Sequence, residues 1–301
     1  MTTAAKPKII VIVGPTASGK SGLAIALAKK YQGEIISADS RQIYKKLDIG
    51  TAKVTKEEMQ GVRHHLIDIL DIDETYSAEQ FKKDADKLIS KIIHRGNTPI
   101  IVGGTFFYID TLLRRVTTPK VPPNPKLREK LEKCTVEQLY EKLLEADSER
   151  AESIDKSNKR RLVRALEIVD ALGHVSKNTD IRSPYAALIL GITTSKDDLR
   201  TLMHSRGLLW LKNGFEEETK RLLASGISRK RLVEIGFEYQ LCLDLIDAKL
   251  APDAFPTAFE QKNWQYAKRQ LTWLKRDKSI VWVYRSEKRE INLLVEQFLL
   301  V

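Results

Sequence analysis

Cysteine is scarce in this chain. Its 301 residues hold only Cys134 and Cys242, far apart and in no CxxC pair. That argues against a zinc site and suits a reducing cytoplasm. No run approaches 18 uninterrupted apolar residues, so no membrane span is expected. The opening MTTAAKPKII leads almost at once into a strand and lacks the apolar segment of a secretory signal. Internal repeats and low-complexity tracts are also missing. A cytoplasmic protein acting as a monomer is the expectation.

What is present is a basic chain, 42% hydrophobic, in which Lys and Arg exceed Asp and Glu by 51 to 40, a formal charge of +11. Such an excess favours polyanionic partners without proving nucleic-acid binding. The apolar content suffices for one large α/β core and a smaller appendage. KIIVIV at 8–13, EIIS at 34–37 and TPIIVGG at 98–104 read as buried strands, and helix patterns over 20–31 and 77–95 separate them. Alternation of this kind implies a parallel sheet flanked by helices, a P-loop NTPase-like α/β fold. TTPKVPPNP, 117–125, with four prolines, reads as a hinge into another module. From 126 to 180 the pattern is helical and highly charged. YAALILGIT at 185–193 returns to the sheet, and SIVWVY at 279–284 adds a short strand. The expected division is a catalytic core of 1–116 and 183–301 around an all-helical insertion, 117–182.

Gly14-Pro15-Thr16-Ala17-Ser18-Gly19-Lys20-Ser21 fits G-x-x-x-x-G-K-[ST], with the strand before it and the helix after it that this nucleotide-binding motif requires. Backbone N–H groups and a helix N-terminus would cradle phosphates, Lys20 would neutralise one, and the Ser21 hydroxyl would bind Mg²⁺. The loop alone does not specify ATP, since any diphosphate suits it. An apolar strand ending in a Walker-B Asp is lacking: PIIVGG ends in glycines, and Asp39 follows the second strand instead. Gly14, Asp39 and Gly103-Gly104-Thr105 all fall at strand carboxyl ends and should line one crevice. An acid placed there serves as general base, metal ligand or mere turn former.

At this point the sequence resembles the tRNA dimethylallyltransferases, or isopentenyl-tRNA transferases. The resemblance rests on GPTASGKS (14–21), IISADSRQIYKKLDIGTAK (35–53), HHLIDILDIDETYSAEQF (64–81) and VGGTFFYI (102–109). RRLVRALEI (160–168), GFEEE (214–218) and YAKRQLTWLK (266–275) extend it over nearly the whole chain. It implies transfer of a dimethylallyl group from dimethylallyl diphosphate to N6 of adenosine 37 beside the tRNA anticodon, with diphosphate released. By resemblance, Asp39 takes the proton from the adenine amine and Thr105 helps place the nucleophile. Lys20, Arg206 and Mg²⁺ on Ser21 would offset the charge of the leaving diphosphate. A base read in this way leaves its stack, and Ser40, Arg41 and Gln42 would meet it with Asp39 and Thr105. Arg160, Arg161 and Arg164 sit three and four apart on one helical face, which taken alone suggests a solvated surface. The resemblance makes this Arg160-Arg161-Leu162-Val163-Arg164 segment a tRNA contact, along with Lys268, Arg269 and Gln270.

Several positions depart from the family's pattern. Leu202 stands for an arginine, Gly207 for a β-branched residue and Trp210 for a methionine. Glu238 takes the place of a base, and Asn263-Trp264 that of Thr-Arg. Phe106-Phe107 would narrow the isoprenoid slot. A small-molecule P-loop kinase, an adenylate isopentenyltransferase and a non-catalytic RNA-binding protein are the alternatives. The intact phosphate loop speaks against the last, and the DSRQIY block against a kinase. The RRLVR cluster and the basic C-terminal block favour tRNA over free nucleotide.

Overall fold

Ile9, Val11 and Val13 of the first strand face one apolar cluster, while Ile10 and Ile12 face another. That two-sided burial is why the strand is continuously β-branched, and it places the strand at the centre of a parallel sheet. The computed structural model describes residues 5–116, 118–119, 121–175 and 182–300. Its strands are β1 (Lys8–Val13), β2 (Gly33–Ser37), β3 (His64–His65), β4 (Thr98–Val102), β5 (Ala186–Thr193) and β6 (Ile280–Tyr284). All pair in parallel, in the order β3-β2-β4-β1-β5-β6. Five fall where the sequence pattern places them. β3, two residues long, is too short for periodicity to reveal.

Helices α1 (Lys20–Lys30), α2 (Lys56–Met59), α3 (Ala78–His94) and α4 (Phe106–Leu112) follow the first strands. Ser77 caps α3 through a reciprocal pair with Gln80, which ends the helix cleanly at that side. Phe81, Ala85, Ile89 and Ile92 of α3 pack on one sheet face; Leu23, Ala24, Leu27 and Ala28 of α1 pack on the other.

The chain divides into two compact units, Met1–Leu113 with Ser183–Val301, and Arg114–Arg182. The second consists of α5 (Pro125–Glu132), α6 (Val136–Ala146), α7 (Ser148–Ser153) and α8 (Lys159–Leu172) around its own core of Leu131, Leu139, Leu143, Leu162 and Val163. Pro125 opens α5 at its first position, where its missing N–H costs nothing. Of the segments read as hinge and helical insertion, residues 117, 120 and 176–181 lie outside the described residues.

In the large unit, α9 (Lys196–Lys212), α10 (Phe215–Ala224), α11 (Arg229–Ile235), α12 (Phe237–Ile246) and α13 (Phe255–Leu274) enclose a third, aromatic-rich cluster; α14 (Lys288–Leu300) follows β6. The unusual residues of α9 belong to this packing. A Cβ on Gly207 would lie 3.1 Å from the Pro256 Cα, so glycine admits α13 at close range. Trp210 is buried edge-on against Phe215 and Phe259, with ring centroids 5.1 and 4.7 Å away. Phe106 is likewise core, and only Phe107 is exposed, so the expected narrowing by both rings reduces to one candidate. Leu202 is exposed on α9.

Glu218 explains why the LDIGT and GFEEE blocks occur together. Its buried carboxylate accepts the backbone N–H groups of Asp48 (2.9 Å), Ile49 (2.7 Å) and Gly50 (3.0 Å) and the Tyr239 hydroxyl (2.9 Å). Four donors converge on one anion and hold the loop after Tyr44 against α10 and α12. Glu218→Ala would leave them buried without an acceptor and should cost about 3 kcal/mol or more of stability. Urea unfolding checks this, as a lower midpoint at unchanged slope.

Candidate active site

β1 ends at Gly14, whose φ of 154° lets the chain leave the strand into the phosphate loop. Ala17 takes a left-handed conformation, φ 65°, and Gly19 starts α1 with no side-chain cap. The first turn of α1 carries no acidic residue. Its N–H groups and dipole are thus presented to an anion. Ser18 Oγ is buried without a hydrogen-bond partner, a donor that a phosphate oxygen would satisfy. Ser21 is half-buried in the first turn of α1.

Lys20 Nζ donates to the Pro15 carbonyl at 2.6 Å. Burial and, less strongly, the nearby Arg206 lower its pKa to about 7 against the opposing pull of Asp39. Arg206 donates through Nη1 to Thr16 Oγ1 at 3.4 Å, and burial holds its own pKa down. Two cations crowded into one partly desolvated site raise each other's cost of charge, a cost that a bound polyanion would remove.

Asp39 is held by the exits of β2 and β4. Ala38 N–H donates to Val102 O (2.7 Å), and Thr105 N–H donates back to Ala38 O (3.1 Å). A Cβ on Gly103 would strike the Ala38 carbonyl, so only glycine allows this approach. Thr105 Oγ1 accepts the Ser40 N–H at 3.0 Å and donates to Ser40 Oγ at 3.2 Å. Asp39 Oδ1 accepts the N–H groups of Arg41 (2.9 Å) and Gln42 (3.3 Å), an Asx turn. Base and turn-former are therefore compatible: one oxygen fixes the turn, and Oδ2 accepts no hydrogen bond among the described residues.

Arg41 is not a free reader of bases. Its Nη1 donates to Glu238 Oε2 at 2.6 Å, and its guanidinium lies over the Tyr266 ring, 5.6 Å from the centroid. Burial opposes its charge, but Glu238, then Asp39 and Tyr266, raise its pKa above the ordinary value. Glu238, which stands where the family's pattern has a basic residue, is buried and serves as this partner. Gln42 spends its side-chain amide on Thr51 O (3.3 Å) and Ala52 O (3.0 Å).

Gln270 requires a correction. It is buried rather than facing RNA, and its Oε1 accepts the Thr16 N–H at 2.8 Å while Nε2 donates to Gly104 O at 3.2 Å. It ties the phosphate loop to the turn that positions Asp39. Lys268 and Arg269 point outward and, with Gln265, Thr272, Trp273 and Arg276, line a groove of about 670 Å³. Tyr266, whose ring has the guanidinium groups of Arg41 and Arg269 over it at 5.6 and 5.8 Å, was missed by sequence reasoning despite lying within the YAKRQ block. Trp264, where an arginine was expected, packs against Leu199, Met203 and Ala267, the small apolar cluster on which Ala17 of the phosphate loop also rests. Asn263 is buried and donates to Phe259 O at 3.1 Å.

In the small unit the RRLVR segment splits by face. Arg160 and Arg161 are exposed, whereas Leu162 and Val163 are core and offer no side chain to RNA. Arg164 is half-buried, donating to Val121 O at 2.7 Å and to Glu167 Oε2 at 3.2 Å. Glu167, buried, also accepts a fork from Arg128 at 2.7 and 2.8 Å. Desolvation works against its charge, but these hydrogen bonds lower its pKa on balance. Helix periodicity put the three arginines together; the internal carboxylate draws one of them in.

Among the described residues no group of three or more His, Cys, Asp or Glu could hold a metal ion, and no helix is long and apolar enough to cross a membrane. Comparison with known proteins is consistent along the chain. A family model described as IPP transferase matches residues 42–277, beginning just after Asp39. The tRNA dimethylallyltransferase of Staphylococcus saprophyticus is 36% identical over 303 residues, covering 97% of this chain and 96% of that protein. The Staphylococcus aureus enzyme of the same name is 38% identical over 304 residues, covering 97% of both. Two solved structures match the fold. The tRNA isopentenylpyrophosphate transferase of Bacillus halodurans has a TM-score of 0.73 at 34% identity, over 98% of this chain and 97% of that one. A eukaryotic dimethylallyltransferase acting on tRNA has a TM-score of 0.77 at 28% identity, over 92% of this chain and 74% of that one.

Lys20 yields a test by pH. Below about 7 it is charged in the free protein, and above that it is neutral. An inorganic diphosphate ion bound beside it favours the charged form, so binding should take up close to one proton at pH 8 from this group and little at pH 6. Calorimetry in buffers of differing ionisation enthalpy measures the uptake, with Lys20→Met, which should lose it, separating this group from the ligand's own titration.

Proposed function

The chain belongs to the IPP transferase family, and from that premise we propose that it transfers the dimethylallyl group of dimethylallyl diphosphate to N6 of adenosine 37 in tRNA. The observation that carries this reading is geometric: Arg206 donates to Thr16 in the loop that carries Lys20, and Gln270 ties that loop to the turn that positions Asp39. A cationic cradle beside a positioned carboxylate is what this chemistry needs. The adenine amine attacks carbon 1 of the isoprenoid, an N–C bond forms, and the C–O bond to diphosphate breaks. The bonding electrons leave with the diphosphate oxygen, and the amine proton passes to Asp39 Oδ2. Ser40 and Thr105 hold Asp39 in place through their mutual hydrogen bonds.

The diphosphate lies on the loop Gly14–Ser21, with Ser18 Oγ, Lys20 and Arg206 as its partners. A divalent ion, assigned here as Mg²⁺, would be held by Ser21 and the diphosphate oxygens, the few-ligand arrangement usual for this ion, and would add charge neutralisation. Arg160 and Arg161 of the small unit contact tRNA phosphates, and Lys268 and Arg269 beside Trp273 supply a basic-aromatic groove for the RNA. We propose that the protein acts in the cytoplasm, as a monomer. A P-loop kinase fits less well, because among the described residues no strand delivers a Walker-B carboxylate and the acid at hand sits on the Asp39 turn.

Asp39→Asn keeps the turn-forming oxygen and removes the base. We expect single-turnover prenylation to fall about 10²–10⁴-fold with tRNA affinity unchanged. A rapid-quench assay with dimethylallyl diphosphate and unmodified tRNA reads this, and an undiminished rate would remove the base role.

The two faces of α8 separate affinity from stability. Arg161→Ala should weaken tRNA binding and lower the salt slope of log K by about 0.9 on a duplex stem, or about 0.7 on a single strand. Arg164→Ala should in addition destabilise the fold, since it leaves Val121 O and Glu167 short of a donor. Salt titrations of tRNA binding, paired with thermal melts, distinguish the two variants.

A further inference from the structure

Arg285 is the first residue beyond β6, on a corner that the structure holds firmly. Tyr284 N–H donates to Glu287 Oε2 at 2.8 Å, Glu287 N–H donates to Tyr284 O at 3.0 Å, and Ile291 N–H donates to Glu287 O at 3.0 Å. Ile291 and Val295 then anchor α14 in the core. β6 runs parallel to β5 and β5 to β1, so the corner opens on the same side of the sheet as the phosphate loop.

From there the Arg285 side chain lies directly over Gly19. A Cβ on Gly19 would collide with its Nη1 and come within 3.1 Å of its Cδ. Among the described residues the guanidinium makes no hydrogen bond or ion pair. The placement is electrostatically costly, because Gly19 caps the positive end of α1 and no acidic side chain occupies the first turn. A cation at a helix N-terminus becomes favourable when an anion joins it. Ser18 Oγ, one residue before Gly19, is buried and unpartnered, a second sign that a ligand oxygen belongs there.

We infer that Arg285 is a diphosphate-binding residue that flanks the phosphate loop at Gly19, completing with Lys20 and Arg206 a cationic surround for the isoprenoid diphosphate. This rests on the diphosphate occupying the loop, as proposed above. A guanidinium suits the role: its planar fork takes two phosphate oxygens at once. Its charge would be most useful as the C–O bond breaks and negative charge builds on the departing diphosphate.

The experiment compares Arg285→Ala, Arg285→Lys and Lys20→Ala with the unmodified chain. It uses calorimetric binding of inorganic diphosphate at fixed Mg²⁺, tRNA binding, steady-state kinetics and thermal melts. Arg285→Ala should bind diphosphate about tenfold more weakly and raise KM for dimethylallyl diphosphate. Melting temperature and tRNA affinity should hold, since the side chain is exposed. Arg285→Lys should recover part of the loss. Diphosphate affinity within twofold of the unmodified chain in Arg285→Ala, while Lys20→Ala is weakened, overturns the inference and leaves the diphosphate reading intact. Loss of tRNA affinity in place of diphosphate affinity overturns it as well. If neither Lys20→Ala nor Arg285→Ala weakens diphosphate binding, the loop does not hold diphosphate and both fall.

Discussion

One buried amide joins the two halves of the candidate chemistry. Gln270 accepts from Thr16 in the phosphate loop and donates to Gly104 in the turn that carries Thr105. Through Thr105 it reaches Ser40 and hence the Asp39 turn. The leaving group and the base must keep a fixed spacing for an in-line displacement, and errors of about an ångström are costly in rate. A side chain from α13 sets that spacing because both of its ends are satisfied and it has no room to move. Neutral donors and acceptors suit the task, since a charge there would compete with Lys20 and Arg206 for the anion.

Charge around this bridge is distributed so that cations gather where diphosphate would sit and carboxylates hold the frame. Glu238 pairs with Arg41, Glu218 gathers the loop at 48–50, and Glu167 organises the small unit. Each is buried; Glu218 and Glu167 are met by several donors, and Glu238 by the Arg41 guanidinium. Asp39 differs: it uses one oxygen for its turn and keeps the other available.

The departures in sequence acquire reasons of the same kind. Gly207 and Trp210 are a matched pair, the small residue admitting α13 and the large one filling the neighbouring aromatic cluster. Trp264 packs on the Leu199, Met203 and Ala267 cluster that Ala17 of the phosphate loop also packs against. These changes concern how helices pack behind the site, and none replaces Lys20, Ser21, Asp39 or Thr105. The comparisons with known proteins, which extend over nearly the whole chain, agree with a conserved framework.

What the sequence by itself determined is whatever short-range pattern encodes. Two-sided β-branched runs gave away the central strands, the glycine-lysine spacing marked the loop, and the end of EIIS put Asp39 at the crevice. Gln270 was legible too, though unread: Phe259, Asn263, Ala267, Gln270 and Leu274 fall at helical spacing on the buried face of α13, while Lys268 and Arg269 fall off it. Only the tertiary structure decided which faces meet. Arg41 is 197 residues from Glu238, and Thr16 is 254 from Gln270. Arg285 comes to lie over Gly19 because β6 joins the sheet beside β5. Periodicity states that a helix has an inner face, but not what that face will touch. The partner is chosen by the packing of whole elements, and that information is spread across the chain rather than written at any one position.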